Sequence, residues 1–341
     1  MTVMGAGIFG LSIAWVCACR GATVQVVDPR GPGGGASGGV VGALAPHTPE
    51  NWNVKKAFQF ESLVMAETFW NEVDAASCLR SGYGRTGRLQ PIIDDHGLSL
   101  AKQRERTAAE LWQEQAVWQV CSSREFGDWV PQSATGLLIY DTLTARIDPK
   151  RACESLTHAL AVNGVEILSK APPSGLVIWA TGYEGLLDLS KELARPIGTG
   201  VKGQAALLRY DAGPAPQLFA DGIHIIPHDN ATVAVGSTSE GQFASPTKTD
   251  EQLDLILKRA VAICPALVDA PVIARWAGVR PRAKSRAPVL GTYPGRPGEF
   301  IANGGFKIGF GMAPKVAEVM ADLVLDGRDS IPDAFRVEEN L

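Results

Sequence analysis

Along this 341-residue chain, apolar segments of helical length or helical spacing occur together with shorter apolar segments of strand length. A nearly unbroken apolar stretch at 11–19 has the length of a helix and is followed by Gly21, a residue type that often ends helices. Shorter apolar segments at 23–27 and 176–179 are typical of buried parallel strands. Helical spacing of apolar residues returns at 52–76, 99–118 and 250–263. Helices that alternate with buried strands predict an α/β fold.

A glycine turn opens the first of these helices. Gly5, Gly7 and Gly10 form a GxGxxG pattern, and Asp28 ends the following strand, eighteen residues after the last glycine. Such a turn brings a dinucleotide's pyrophosphate to a helix N-terminus, and an acid at that distance accepts hydrogen bonds from ribose hydroxyls. The glycines alone are a weak signal, since a purely structural turn uses them too. Turn, helix, strand and acid within one unit predict a bound dinucleotide.

The middle of the chain has the pattern of antiparallel strands joined by tight turns. Short strands are predicted within 82–93, 136–147, 202–208 and 223–237. Because glycine-rich segments lie at both ends and in the middle of the chain, we expect a discontinuous Rossmann-type nucleotide domain. An α+β substrate domain built on an antiparallel sheet is inserted in it. The expected bounds are 1–75, 145–200 and 275–341 for the nucleotide domain, and 76–144 and 201–274 for the substrate domain.

Composition and charge narrow the class of protein. Hydrophobic residues make up 45% and charged residues 20%, which is enough for a large core. The net charge of −4 gives no general attraction to nucleic acid. Six cysteines without a CxxC pair predict reduced core thiols in a cytoplasmic protein. Because the glycine turn lies so near Met1, we expect no signal peptide, and no apolar run has the length of a membrane span.

Three further glycine-rich segments carry candidate ligand contacts. The segment 31–39 has the composition of a flexible linker, but it leads directly into small apolar residues that allow close approach to a flat ligand. Thr181 and Gly182 end the strand at 176–179, where ligands of parallel sheets bind. The last segment, 301–311, precedes a helix with Pro314 near its start and Gly327 just after its end.

In these segments the chain resembles the D-amino-acid oxidase family of FAD-dependent oxidoreductases, and within it the glycine oxidase and sarcosine oxidase branch. The similar segments, in the same order, are Gly5–Asp28, Gly35–Pro46, Ala145–Lys150, Val177–Gly182 and Trp276–Gly311. The last is the most discriminating. It contains Trp-Ala-Gly-Val-Arg-Pro at 276–281, Pro-Val-Leu-Gly at 288–291 and Ala-Asn-Gly-Gly-Phe-Lys at 302–307.

The resemblance implies that the dinucleotide is FAD rather than NAD, bound without a covalent link. It places Gly5, Gly7, Ile8, Phe9 and Gly10 at the pyrophosphate, and Asp28 and Pro29 at the adenosine. It places Ala36, Ser37, Val41, Gly42 and Ala43 along the flavin, near Thr181 and Gly182. It places Gly305, Phe306, Lys307, Ile308, Gly309, Phe310 and Gly311 at the isoalloxazine edge. A helix N-terminus at that edge stabilises the negative charge that hydride transfer leaves on the flavin.

Arg280 is the candidate for binding the substrate. A guanidinium holds a carboxylate bidentately and thereby fixes the orientation of the substrate's α-carbon. The alternative is a solvated arginine beside proline, which is the interpretation we keep for Arg282, Lys284 and Arg286 in the same basic run. The resemblance favours the binding role at Arg280.

Two positions depart from the family pattern and complete the catalytic candidates. Lys307 stands where many glycine oxidases have a second arginine. His224 stands where that branch often has a tyrosine, and we leave open whether it faces the pocket or is an ordinary strand residue. His228 lies four residues on, but Pro227 excludes a helical metal-binding pair, and we predict no metal site.

The resemblance implies oxidation of the amine of a small amino acid, such as glycine, sarcosine or a D-amino acid. Hydride passes to flavin N5, the imine is hydrolysed, and oxygen or another acceptor removes the electrons. Two alternatives stay open: an FAD-binding subunit of a heteromeric amine dehydrogenase, and oxidation of an amine on a larger substrate such as a modified tRNA nucleoside. We expect no nucleic-acid partner and no membrane span, and leave open whether the chain forms a homo-oligomer.

Overall fold

The computed structural model describes residues 1–340, which form two large sheets and the helices that cover them. The α-helices are α1 (Ile8–Cys19), α2 (Val54–Ser77), α3 (Asp95–Leu111), α4 (Pro149–Val162), α5 (Gly182–Glu192), α6 (Glu251–Ile263) and α7 (Gly309–Asp326). The strands are β1 (Thr2–Met4), β2 (Gln25–Val27), β3 (Ala43–Leu44), β4 (Arg88–Pro91), β5 (Trp118–Ser122), β6 (Leu137–Asp141), β7 (Ala145–Arg146), β8 (Glu166–Leu168), β9 (Val177–Trp179), β10 (Gly198–Arg209), β11 (Gln217–Ala220), β12 (Ile223–Pro227), β13 (Thr232–Gly236), β14 (Val272–Ala283), β15 (Val289–Thr292) and β16 (Glu299–Asn303).

The first sheet is the predicted Rossmann-type sheet, with strand order β15-β16-β9-β1-β2-β8. Strand β1 pairs in parallel with both β2 and β9, and only the edge strand β15 runs antiparallel to its neighbour. Helices α1, α2, α4 and α7 pack into one core against it, in which Leu11, Ile13 and Met312 are fully buried. Their burial follows from the apolar run that predicted α1. The α/β prediction is therefore confirmed.

The second sheet has eight strands in the order β14-β10-β13-β12-β11-β4-β6-β5. Its pairs are antiparallel except for β11 with β4. Helix α6 packs on it and buries Leu253 and Ile256 against strand residues such as Val233 and Val235. This is the antiparallel sheet that the middle of the chain predicts.

The longest strands of the second sheet bring it against the first. Strands β10 and β14 pair from Gly198 opposite Ala283 to Leu208 opposite Val272, with a shift in register between Leu207 and Leu208. Helix α5 packs on both of them and on β16 of the first sheet. Both strands run across predicted domain bounds, at 200/201 and 274/275. The domain bounds themselves stay a prediction.

Two local expectations need correction. The helix expected at 99–118 ends at Leu111, because Gln113 and Glu114 take positive φ angles of 46° and 66° and turn the chain into β5. Of the six cysteines, all unpaired, Cys19 and Cys78 are exposed rather than in the core. Cys19 is the last residue of α1 and Cys78 ends α2, so each lies where a helix reaches the surface.

Within residues 1–340, no helix is both long and apolar enough to cross a membrane. Over the same residues, no group of three or more His, Cys, Asp or Glu side chains is arranged to hold a metal ion.

Candidate active site

A cavity of about 720 Å³ lies where the two sheets meet. Its lining includes most of the residues that the sequence singled out: Gly7, Ile8, Phe9, Asp28, Ala36, Ser37, Val41, Gly42, Ala43, Thr181, Gly182, His224, Arg280, Gly305, Phe306, Lys307, Gly309 and Phe310. We call the lining that contains Gly7–Phe9 and Asp28 the glycine-turn wall. We call the lining that contains Arg280, Lys307 and His224 the cationic wall.

Five predicted cofactor residues lie outside the lining, and two of them act through the backbone. Gly5 has φ +110°, and a Cβ there would lie 2.4 Å from the carbonyl oxygen of Ala180. A Cβ on Gly10 would lie 1.9 Å from the carbonyl oxygen of Gly5. Both glycines therefore let α1 start directly against the strand ends, and they shape the turn rather than face the cavity.

The other three residues outside the lining have different surroundings. Pro29 is exposed, Ile308 is the N-cap residue immediately before α7, and Gly311 is buried with its Cβ position 3.3 Å from a methyl group of Leu63. These three residues therefore contribute to the turns and the core beside the cavity, and not to its lining.

Asp28 is held in a fixed orientation at the end of β2. Its Oδ2 accepts a hydrogen bond from the Ala6 backbone N–H at 2.8 Å, and its Oδ1 accepts one from the Arg30 N–H at 2.9 Å. The residue is only 8% exposed but lines the cavity. Since each carboxylate oxygen has more than one acceptor site, Asp28 can also accept from ligand hydroxyls.

Three helices begin at the cavity without a side-chain cap. Helices α1, α5 and α7 start after Gly7, Thr181 and Ile308, and none of these residues caps its helix through its side chain. By contrast, α2, α3, α4 and α6 are capped by Asn53, Asp94, Asp148 and Asp250. Apart from the Ile8 N–H of α1, which donates to Ser37 Oγ, these uncapped N-termini present free N–H groups and partial positive charge, which suit a bound pyrophosphate or an anionic ring edge.

The segment from 36 to 43 lies along the cavity, as expected for a ligand-contact segment rather than a linker. A Cβ on Gly42 would lie 2.1 Å from the carbonyl oxygen of Ile147, and one on Gly39 would lie 3.3 Å from the ring of Trp276. Ser37 Oγ accepts a hydrogen bond from the Ile8 N–H of α1 at 2.9 Å. Small residues thus bring this backbone close to α1, and the glycine-turn wall has the form that a dinucleotide needs.

Arg280 projects from β14 and is held by a neighbouring segment. Its Nη2 donates to Ser237 Oγ at 2.6 Å and its Nη1 to the Thr238 carbonyl oxygen at 3.3 Å. Burial lowers the pKa of Arg280 to about 10, and the charge of Glu240 opposes this shift, so the guanidinium is protonated at neutral pH. Among residues 1–340, no carboxylate lies within 4 Å of it.

The sequence did not reveal what surrounds Arg280. Gly203 on β10 leaves the space for the guanidinium, because a Cβ there would lie 1.9 Å from Nη1. Behind it, Glu240 Oε1 accepts from Gln204 Nε2 at 3.0 Å, and Oε2 lies 3.4 Å from Lys202 Nζ. A glycine between two long polar residues, Lys202-Gly203-Gln204, is the local signal in the sequence, but its role depends on pairing with a segment more than thirty residues away.

His224 lies on β12 and lines the cavity. Its ring packs against Phe219 with centroids 4.5 Å apart. Burial, followed by the positive charges of Arg88, Lys307 and Arg280, lowers the pKa of His224 to about 3. The imidazole is therefore neutral across the physiological range.

Lys307 reaches the same wall from the loop before α7. That loop is fastened to β14, because the Phe306 N–H donates to the Pro281 carbonyl oxygen at 3.0 Å. Lys307 Nζ lies 5.7 Å from the centroid of the Phe306 ring. Desolvation and the charge of Arg280 lower the pKa of Lys307. In the rest of the basic run, Lys284 and Arg286 are exposed, as expected for solvated residues, whereas Arg282 is half-buried and its guanidinium carbon lies 5.9 Å from the centroid of the Phe306 ring.

Comparison with known proteins gives one consistent result. A family model for FAD dependent oxidoreductases (DAO) matches residues 1–323. Glycine oxidase of Pseudomonas aeruginosa is 27% identical over 98% of this chain and 96% of its own length. Glycine oxidase of Geobacillus kaustophilus is 26% identical over 95% of this chain and 92% of its own length.

Solved structures agree on the fold. The crystal structure of the Geobacillus kaustophilus glycine oxidase has a TM-score of 0.84 at 19% identity, covering 98% of this chain and 97% of that one. The L-proline dehydrogenase from P. horikoshii has a TM-score of 0.81 at 20% identity, covering 99% and 97%. Together with the family match, these likenesses confirm the predicted family, the Rossmann-type fold with an added substrate domain, and FAD as the cofactor.

Proposed function

Since the chain belongs to the DAO family of FAD-dependent oxidoreductases, we propose that it oxidises the amine of a small amino acid to an imine, which water then hydrolyses. Glycine, sarcosine and D-amino acids are the candidate substrates. The observation that carries this proposal is Arg280, a protonated guanidinium that lines the cofactor cavity with no carboxylate of residues 1–340 within 4 Å. A half-buried cation without an acid partner is suited to an anionic ligand.

Arg280 binds the substrate carboxylate and so orients the α-carbon. Ser237 and the Thr238 carbonyl hold the guanidinium from one side, and Gly203 leaves room for it. A positioned carboxylate confines the substrate to one orientation, and orientation of this kind supplies a large part of the rate enhancement of many enzymes.

Neutral His224 and charged Lys307 complete the substrate contacts. His224 provides a hydrogen-bonding group that adds no charge, because its pKa of about 3 keeps it unprotonated. The amine must react as the free base, and a wall with two cations favours the neutral amine over the ammonium form. No side chain is required to abstract the α-hydrogen.

The residues of the glycine-turn wall would hold the cofactor. The N-terminus of α1 would take the pyrophosphate, Asp28 the ribose hydroxyls, and the segment 36–43 with the start of α7 the ring system. A bound FAD, held without a covalent link, would supply the acceptor for the hydride equivalent of the substrate's α-carbon, and oxygen or another acceptor would take up the electrons. Water then adds to the imine, and an oxo acid and an amine (or ammonia) leave.

An anaerobic titration of the purified holoprotein tests the proposal. Glycine, sarcosine, proline and individual D- and L-amino acids are added while the flavin band at roughly 450 nm is recorded. Bleaching by at least one of them is the expected result. If none bleaches the band, the small-amino-acid function is wrong, and either a larger amine substrate or a partner subunit is required.

A further inference from the structure

Some of the positively charged side chains that line the cavity form an ion pair with an acid, and others do not. Arg30 forms an ion pair with Glu184 at 2.8 Å, and Arg275 forms one with Asp254 at 2.5 Å. Arg280 has no carboxylate of residues 1–340 within 4 Å. The same holds for Lys307 over the described part of the chain.

The charged groups that act on the cationic wall from behind are already engaged in ion pairs of their own. Glu240, the acid whose charge reaches Arg280, is paired with Lys202 at 3.4 Å. Arg88, whose charge reaches His224, is itself paired with the buried Asp141 at 2.9 Å. The cationic wall therefore has two positive charges that no acid in contact with them balances.

The two unpaired cations, Arg280 and Lys307, lie on the same wall of the cavity. Lys307 is tied to the strand of Arg280 by the hydrogen bond from Phe306 to Pro281. The charge of Arg280 reaches Lys307, and the charges of both reach His224. A ligand bound at Arg280 is therefore within the field of Lys307 as well.

We propose that this site selects amines that carry two carboxylates, one bound by Arg280 beside the oxidised carbon and the other by Lys307. The inference rests on the proposed function and deepens it by naming the substrate class. A substrate with a single carboxylate and a neutral amine leaves Lys307, an exposed residue whose ammonium is partly desolvated, without a counter-charge, whereas a dianion balances both cations.

The cofactor's own charge has a different partner. Helix α7 begins directly after Ile308 without a side-chain cap, and Gly309 and Phe310 of its first turn line the cavity. Its free N–H groups are suited to negative charge on the ring edge. Lys307 is thus free to bind substrate.

Matched substrate pairs test the inference. Sarcosine and iminodiacetate share a secondary amine and differ by one carboxylate, as D-alanine and D-aspartate do for a primary amine. With the holoenzyme we expect kcat/KM to be at least about tenfold higher for the dianion in one pair. A preference in the sarcosine and iminodiacetate pair would place the second carboxylate on the nitrogen substituent. A preference in the D-alanine and D-aspartate pair would place it on the side chain of the α-carbon.

Two variants assign the preference to Lys307. In Lys307→Met the ratio of kcat/KM between dianion and monoanion falls to about one, because only the dianion loses a contact. Lys284→Met removes an exposed lysine of the same basic run and keeps the wild-type ratio. A binding readout without turnover uses methoxyacetate and oxydiacetate, which have no amine. Calorimetry is expected to show about tenfold tighter binding of oxydiacetate to wild type but not to Lys307→Met.

Several outcomes would overturn the inference. A wild-type ratio near one in both pairs contradicts it, and so does a Lys307→Met variant that slows both members of a pair equally, since Lys307 would then serve the cofactor. If single-carboxylate amines bleach the flavin while dianions have no advantage, only this inference fails. If no amine bleaches it, the proposed function fails first.

Discussion

The two walls of the cavity are built from different chemistry. The glycine-turn wall is mainly backbone: glycines, small residues and the uncapped start of α1. The cationic wall is made of side chains, with Arg280, His224 and Lys307 reaching in from β14, β12 and the loop before α7. The difference suits their ligands, because a cofactor with fixed phosphates can be held by N–H groups, whereas a small substrate is distinguished by the charges that meet it.

Helix starts also differ. A side-chain cap contributes about 1 kcal/mol to a helix, and α2, α3, α4 and α6 each have one, including α4, whose first residue Pro149 lines the cavity. Helices α1, α5 and α7, which also begin at the cavity, do without it. These three helix starts therefore lack the stabilisation of a side-chain cap. A bound anion stabilises the protein instead, because it binds the folded state and not the unfolded chain.

The largest expected effect comes from closing the glycine turn. Gly10→Ala places a methyl group 1.9 Å from the Gly5 carbonyl oxygen as the structure stands, so α1 must move away from the strand. We expect the variant to lose most of its bound FAD and to unfold at lower temperature. Flavin absorbance per chain and thermal melting measure both effects.

Gly241→Ala is the matched control for the glycine turn, since no atom lies within 4 Å of its Cβ position and its φ is not in the left-handed range. It keeps FAD and melts like the wild type. Full FAD content in Gly10→Ala would contradict a cofactor site made from tight backbone packing.

Gly203→Ala is expected to damage the cationic wall alone. Its methyl group would occupy the place of Arg280 Nη1, 1.9 Å away, and a displacement of about 1 Å in a positioning group costs roughly a hundredfold in rate. We expect kcat/KM for the best amine to fall by about that factor while FAD stays bound. Equal loss of FAD would show that the two walls are not separable.

The pH dependence of stability distinguishes His224 from an exposed histidine. Its folded-state pKa is about 3, below the ordinary 6.5, so the unfolded chain binds a proton that the folded chain does not. Stability is therefore lost as the pH falls from about 6.5 towards 3. Denaturant unfolding at pH 7 and pH 5 measures the loss, which is expected to be smaller in His224→Phe. His96→Gln, at an exposed position, keeps the wild-type slope, and an unchanged slope in His224→Phe would contradict the assignment.

The smallest effect is expected at Ser37. Ser37→Ala removes the acceptor of the Ile8 N–H at the start of α1, which costs about 1 kcal/mol in the protein without cofactor. Since a bound phosphate also binds this N–H, the loss should shrink when FAD is present. Melting temperatures with and without FAD test this. An equal loss in both states would mean that the ligand does not contact the helix start.

The glycine-turn wall and the cationic wall also differ in how much of each could be predicted from the sequence. The glycine-turn wall depends on local order, from Gly5 to Asp28, and the sequence predicted its turn, helix and strand. The supports of Arg280 come from pairing between distant segments, as when Thr238 Oγ1 accepts from the Gln204 N–H at 2.8 Å. No local pattern marks Ser237 or Gly203 as neighbours of that arginine. The exposure of Cys19 likewise depends on where α1 ends relative to its neighbours.

Arg280→Ala tests most directly the central claim that one wall holds the cofactor and the other holds the substrate. The variant and the wild type are titrated anaerobically with the best amine and afterwards with dithionite, while the flavin band is followed. We predict a bound-FAD spectrum like that of the wild type, full bleaching by dithionite, and bleaching by the amine at least about a hundredfold slower. Amine-driven bleaching at the wild-type rate would contradict the account.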